Sequence, residues 1–301
     1  MAPATPQAPA STEVPARGKL LVGLIGAGIQ RSLTPAMQEA EARHHGLRLH
    51  YQLIDLDLTR STVDDLPTLI SAARIMGFAG LNVTYPCKQA VLPLLDELSE
   101  EAQAMGAVNT VVNRGGKLVG HNTDGSGWRW GFRRALPQAD LARVVLLGAG
   151  GAGSAIGHSV LRLGAGQLTV VDTDAARAAT LAGSLNARYG LGRAIASTDI
   201  DAAVRHASGL IHATPTGMDK LPGLPLPEAL LRPDLWVCEI VYFPIETALL
   251  KAARARGCAT VDGGHMAVGQ AVGAFELFTG IAPDAQRMEA HLRAMLAGAA
   301  G

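Results

Sequence analysis

A short apolar run, residues 144–147 (VVLL), leads directly into Gly148-Ala149-Gly150-Gly151-Ala152-Gly153, and Asp172 closes a second apolar run 19 positions after Gly153. Strand, glycine-rich loop, helix, strand and terminal acid in this order form a dinucleotide-binding fingerprint. Each glycine answers a separate steric demand. Gly148 permits the tight turn out of the strand, Gly150 lets backbone N–H groups approach a pyrophosphate, and Gly153 lets the next helix pack close to the sheet. The pyrophosphate would rest on the positive end of that helix.

The chain has 301 residues, beyond the size at which one core usually stops growing, so two domains are expected. Its 26 basic and 26 acidic residues cancel, and no basic stripe is visible, which argues against nucleic acid or an anionic membrane as partner. The three cysteines, Cys87, Cys238 and Cys258, lack metal or disulfide spacing and suit a reducing cytoplasm. Residues 20–29 and the other apolar runs are short and broken by glycine, so they read as buried strands rather than membrane spans. Residues 1–18 are rich in Ala and Pro without a signal core and read as a disordered tail.

From Leu20 onward, strand-like runs (LLVGLIG, LHYQLIDLD, GLNVTY) alternate with helical ones at residues 35–45 and 66–75. This predicts an α/β domain with a mainly parallel sheet. Helices are expected around residues 89–101 and 125–136. Strands follow at 209–213 and 235–242, and a helical run at 266–279 is expected to return to the first domain.

Ligands in open α/β sheets bind beyond the carboxyl ends of the strands. Ser32 and Thr34 follow the first strand, Asn82, Thr84 and Lys88 follow another, and Asn109 and Asp124 lie shortly before the nucleotide unit. Hydroxyls and amides both donate and accept, which suits a polyhydroxylated substrate, although the same residues also serve turns and caps. A nicotinamide enzyme oxidising a secondary alcohol needs a group to take the hydroxyl proton. Lys88, held by a carboxylate at Asp124, is the candidate; a surface lysine and a capping aspartate are the plainer reading. His44, His45 and His50 lack the ligands to complete a metal set, so no metal is expected. His121 is a second candidate base, and Cys87 reads as a small packed residue.

SLTP, NVTYPCK, GAVNT, GHNTDGSG, GAGGAG, ATPTGM, VYFPIET and DGGHMAVGQAV occur in the order of the motifs of the shikimate dehydrogenase family, over about residues 20–290. The chain resembles its quinate/shikimate dehydrogenase branch most. The resemblance implies an N-terminal α/β substrate domain (residues 19–124, completed by 262–301) and a Rossmann-type dinucleotide-binding domain (residues 125–261). It implies Lys88 and Asp124 as the catalytic pair. Substrate contacts would come from Ser32, Thr34, Asn82, Thr84, Asn109, Tyr242 and Gln270. Cofactor contacts would come from residues 148–153, Asp172, Arg177, Thr214, Met218, Val241 and Gly263.

Three residues depart from the family pattern. Thr34 replaces a serine at the carboxylate end of the substrate, His212 stands where Asn is frequent, and His265 where Gly is frequent. The expected activity interconverts a ring hydroxyl and ketone on quinate or shikimate; an aminoshikimate-type enzyme and a non-catalytic nucleotide-binding regulator are the alternatives. NAD is expected over NADP, because Asp172 would repel a 2′-phosphate and VVDTDAAR places no Arg beside it. A small-molecule substrate is the expected partner, with homodimer formation left open.

Overall fold

The computed structural model describes residues 19–298, so the expected tail at residues 1–18 lies outside the described residues. Among the described residues, twelve strands form two six-stranded sheets. The first contains β1 (Lys19–Gly26), β2 (Arg48–Asp55), β3 (Gly80–Val83), β4 (Glu97–Leu98), β5 (Thr110–Arg114) and β6 (Lys117–His121). Its order is β2-β1-β3-β5-β6-β4. The strands β2, β1 and β3 run parallel, as the alternation predicts.

Strands β5 and β6 form an antiparallel hairpin between Asn109 and Asp124, a stretch for which the sequence pattern predicts no strand. Gly115 and Gly116 turn it, both at positive φ (63° and 93°), the conformation a tight two-residue hairpin demands. The helix expected around residues 89–101 is interrupted. Pro93 sits in a 3₁₀ turn, Leu92–Leu94, β4 follows, and Ser99 starts a new helix, Glu100–Met105, by accepting from the Ala102 amide. A proline has no N–H for a continuing helix, and the serine cap supplies a fresh start.

The second sheet contains β7 (Arg143–Leu147), β8 (Gln167–Val171), β9 (Ala194–Ser197), β10 (Gly209–His212), β11 (Trp236–Glu239) and β12 (Thr260–Val261). All its pairings are parallel, in the order β12-β11-β10-β7-β8-β9. This is the doubly wound arrangement, whose strand order reverses between β7 and β10 and opens a crevice there. Its central strands are buried on both faces, so they read as continuous apolar runs rather than alternating ones. Trp128 stacks on Phe132, which meets Trp236 edge-on, anchoring the Thr123–Ala135 helix to this sheet.

The Gly264–Thr279 helix starts against the second sheet, whose core takes in Met266, and runs on to the first sheet. Its Ala274 and Phe278 join Val22, Leu24, Tyr51 and Val112 of the first sheet in one apolar cluster. Its Val268 and Ala271 join Met37 and, from the Ala285–Gly298 helix, Met288, Leu292 and Leu296. Among the described residues, no helix is long and apolar enough to cross a membrane.

Candidate active site

Strands β3 and β6 point the same way with β5 reversed between them, so the ends of β3 and β6 and the start of β5 share one edge of the sheet. Lys88 follows β3, Asn109 precedes β5 and Asp124 follows β6, which brings three distant segments together. Lys88 Nζ lies 2.5 Å from Asp124 Oδ2. The other carboxylate oxygen, Oδ1, accepts from Asn109 Nδ2 at 2.8 Å. Asn109 also donates to Thr123 Oγ1 and accepts from the Thr123 amide, fixing the start of the Thr123–Ala135 helix. Asn122 caps that helix by accepting from the Asp124 amide and donates to the Ala107 carbonyl. Asp124 is thus 6% exposed and held in the first turn of a helix, where an anion is favoured. The lysine keeps 22% of its side chain open.

Asn82 extends this network. Its amide nitrogen donates to the Asn109 carbonyl and to Thr110 Oγ1, and its oxygen accepts from the Tyr51 hydroxyl at 2.7 Å. Burial pushes the Tyr51 phenol far above its ordinary range, so it stays a donor. Thr84, Ser32 and Thr34 follow the neighbouring parallel strands β3 and β1. Ser32 and Thr34 lie at the start of the Thr34–His44 helix, whose N-cap residue Leu33 has no capping side chain. The Thr34 amide donates to Ser32 Oγ at 3.4 Å and Pro35 has no N–H, so it is the helix dipole that favours a carboxylate there. Cys87 is fully buried, and burial pushes its thiol up.

The glycine-rich loop borders the same place. A side chain on Gly151 would come within ordinary contact, 3.9 Å, of the Lys88 stem. Gly148 has φ +99° and lies against Ala213 and Thr214, at the crevice between β7 and β10. A Cβ on Gly153 would overlap the Gly148 carbonyl at 1.9 Å, which is why the helix can pack so close. Gly150 faces open space, and the Gly151–Arg162 helix starts without a side-chain cap, so its N–H groups are available to a pyrophosphate. Gly263 packs onto the carbonyls of Ile240 and Val241, and Met218 lies half exposed in the loop after β10.

Asp172 ends beside the loop. Burial pushes its carboxyl up, but the amides of Ala149 and Asp174 and the Arg177 guanidinium hold it below the usual carboxylate range. Arg177 donates to Asp174 at 3.1 Å and its far nitrogen lies 3.9 Å from Asp172.

Two contacts join the substrate loops to the nucleotide loops. The Arg31 guanidinium lies 4.0 Å over the Phe243 ring and 3.5 Å from Asp219. Arg31 precedes Ser32, and Phe243 follows Tyr242, so the contact draws these two loops together. Gln270 lies on the helix whose Gly269 crosses Gly127 of the Asp124 helix, and its side chain donates to the Ala267 carbonyl of its own helix at 3.0 Å.

Residues 24–111 match the family model for the shikimate dehydrogenase substrate binding domain, and residues 265–293 that for the shikimate 5'-dehydrogenase C-terminal domain. The chain is 56% identical over 282 residues to the shikimate dehydrogenase (NADP(+)) of Streptomyces avermitilis, covering 93% of this chain and 97% of that one. The chain belongs to the shikimate dehydrogenase family. The family's quinate/shikimate dehydrogenase (NAD(+)) of Corynebacterium glutamicum strain R is 49% identical over 273 residues, covering 89% of this chain and 96% of that one. Among solved structures, quinate dehydrogenase from Corynebacterium glutamicum in complex with NAD matches with a TM-score of 0.88 and 47% identity, covering 92% of this chain and all of that one.

Of the residues singled out in the sequence, Lys88, Asn109 and Asp124 meet in one hydrogen-bonded group, with Asn82 joined to it and Gly151 beside the Lys88 stem. Sequence reasoning missed Tyr51 and Thr123, which brace the pair from buried positions, and Arg31. It also missed Glu239, which lies in register with His212 on the next strand. A polar residue ending an otherwise apolar strand was the available signal for Glu239. The His121 carbonyl accepts from the Asn109 amide, but its ring does not join the Lys88–Asp124 network; its Nε2 is buried without a hydrogen-bond partner, and burial, with Arg114 nearby, pushes its pKa down.

Proposed function

We propose that this protein is an NAD-dependent dehydrogenase that interconverts a ring hydroxyl and a ketone on quinate or shikimate, the ketones being 3-dehydroquinate or 3-dehydroshikimate. The observation that carries the reading is the 2.5 Å Lys88–Asp124 pair bordered by the glycine-rich loop. A bound nicotinamide supplies the hydride acceptor. As the neutral amine, Lys88 Nζ takes the proton of the substrate hydroxyl as it is oxidised, and as the ammonium it returns that proton in the reverse direction. Asp124 holds the ammonium in place, and Asn109 keeps the carboxylate from rotating away. Ser32 and Thr34, at the start of the Thr34–His44 helix, bind the substrate carboxylate. Asn82, Thr84, Tyr242 and Gln270 complete the substrate contacts, with Asn82 also bracing Asn109.

The cradle fits a dinucleotide. Residues 148–153 hold the pyrophosphate, and Thr214, Met218, Val241 and Gly263 border the nicotinamide half. Each Asp172 oxygen has one backbone donor and keeps lone pairs for the ribose hydroxyls. Arg177 pairs with Asp174, which favours NAD over NADP at this position. Residues 19–124 with 262–301 form the substrate domain and residues 125–261 the nucleotide domain, supported by the packing of the Gly264–Thr279 helix on the first sheet. Cytoplasmic residence, supported by three free cysteines, and a homodimer belong to the same proposal. The two alternatives, an aminoshikimate enzyme and a silent regulator, are not favoured by the relatives or by the intact pair.

Turnover of quinate, shikimate and 3-dehydroshikimate with each cofactor tests the reading. Oxidation of quinate or shikimate with NAD is expected. Absence of turnover with every combination would overturn it.

A further inference from the structure

His212 and Glu239 are the last residues of the adjacent strands β10 and β11, in register with each other and essentially without exposure. They end runs that are otherwise apolar, and unpaired polar groups at such depth are costly. Both are fully engaged. His212 Nδ1 lies 2.8 Å from Glu239 Oε1, and His212 Nε2 lies 2.5 Å from Thr214 Oγ1. Glu239 also accepts from the amides of Ile240 and Val241 and, through Oε2, from the Thr247 hydroxyl. The network ties the loop after β10, carrying Thr214, to the loop after β11, carrying Val241.

The direction of the two His212 hydrogen bonds is set by the tautomer of its ring. An ionised carboxylate only accepts, so the hydrogen between His212 and Glu239 rides on Nδ1. In the neutral imidazole Nε2 is then an acceptor, and the Thr214 hydroxyl directs its single hydrogen to it. Thr214 Oγ1 also receives the Thr216 amide at 3.3 Å, which leaves one lone pair. Thr214 is half-buried and its methyl lies beside Gly148, at the crevice where the strand order reverses.

We propose that His212 is a positioning residue which, braced by Glu239, fixes Thr214 as a hydrogen-bond acceptor toward the nicotinamide half of the bound dinucleotide. The inference rests on the dehydrogenase reading above and adds a residue to it. The chemical group it selects is a donor, a ribose hydroxyl or a carboxamide N–H. A neutral side chain of similar bulk at position 212 would fill the space but leave the hydroxyl free to turn.

NADH titration by fluorescence tests this, with shikimate binding by calorimetry on the same proteins. His212→Leu and Thr214→Val should each raise the Kd for NADH about five- to tenfold, the worth of roughly one hydrogen bond. The double variant should be no worse than either single one, because His212 acts through Thr214. Thr214→Ser should restore affinity to within about twofold, and shikimate affinity should stay within about twofold throughout. Imidazole ¹⁵N NMR on the unaltered protein needs no variant to fold, and should show the hydrogen on Nδ1 of His212. An unchanged Kd in His212→Leu, a double variant that multiplies the single effects, or a hydrogen on Nε2 would overturn the inference alone. An unaltered protein that binds no NADH would overturn the dehydrogenase reading with it.

Discussion

Gly127 and Gly269 meet backbone to backbone where the Thr123–Ala135 and Gly264–Thr279 helices cross. A Cβ on Gly269 would lie 2.4 Å from the Gly127 carbonyl oxygen, and one on Gly127 would lie 2.3 Å from the Gln270 amide nitrogen. Neither neighbour is a flexible side chain, so any substitution must separate the helices. This crossing joins the Asp124 helix to the one that carries Gln270.

Gly269→Ala is therefore expected to destabilise the fold by about 1–3 kcal/mol, the usual cost of overpacking. It should also lower kcat/KM for the hydroxy acid more than it lowers NADH affinity, since Asp124 and Gln270 lie on the two crossing helices. Thermal unfolding, steady-state kinetics and NADH titration check the three parts. A variant with unchanged melting and kinetics would show that the helices can separate freely.

Lys88→Met should reduce kcat by about 10²–10⁴-fold, the range for a general acid–base group, with substrate still bound by the remaining contacts. Asp124→Asn should lose less and shift the pH–rate profile, because an amide cannot balance the lysine charge. Near-normal kcat in Lys88→Met would remove it from the chemistry. An unchanged profile in Asp124→Asn would reduce that residue to a helix-turn acid.

Thr34 begins the Thr34–His44 helix beside Ser32. Reverting it to serine removes one methyl group from the expected carboxylate end. The ratio of kcat/KM for shikimate over quinate should rise, by at most the roughly 10–200-fold that a methylene-sized change supplies. No movement in that ratio would place the selectivity elsewhere.

Asp172 is expected to select the cofactor. Its carboxyl is held below the usual range, so it is ionised at neutral pH and repels a 2′-phosphate. The kcat/KM ratio of NAD to NADP should favour NAD and should fall in Asp172→Ala. A protein preferring NADP, or an Ala variant with the same ratio, would refute this. The comparison matters because similar relatives carry both names, NADP(+) and NAD(+).

Glu41 links the same helix to the C-terminal one. Burial pushes its carboxyl up, but hydrogen bonds from Arg287, the Asp284 amide and His45 bring it down to about 2 from an ordinary 4.5. A carboxylate whose folded pKa is depressed stabilises the fold above its unfolded pKa and loses that contribution as pH falls through the folded one. Melting temperature should thus drop between about pH 4.5 and 2, and this part of the drop should be absent in Glu41→Gln. Equal acid sensitivity in both proteins would count against the pairing.

The glycine-rich loop was legible in the sequence because its constraints are local. The turn at Gly148, the close approach at Gly153 and the acid at Asp172 are demands of a single strand-loop-helix-strand unit. Apolar runs likewise placed most strands and the Leu66–Ile75 helix, since side-chain period and burial act within one element. The hairpin of β5 and β6 was harder to see, because NRGGK turns between short strands whose pairing depends on their fit against β3.

The site itself needed the tertiary structure. Lys88 and Asp124 are 36 residues apart, and their contact depends on β5 lying between β3 and β6. His212 and Glu239, 27 residues apart, meet because β10 and β11 pair in one register rather than another. Gly127 and Gly269 are brought together by two helices packing on faces whose apolar partners lie elsewhere in the chain. The sequence by itself determined what each element could be and which chemistry it carried, because steric preference and polarity belong to neighbouring residues. Which elements became neighbours, and in what register, was decided by burial of apolar faces far apart in the chain, and that is a property of the whole packed molecule.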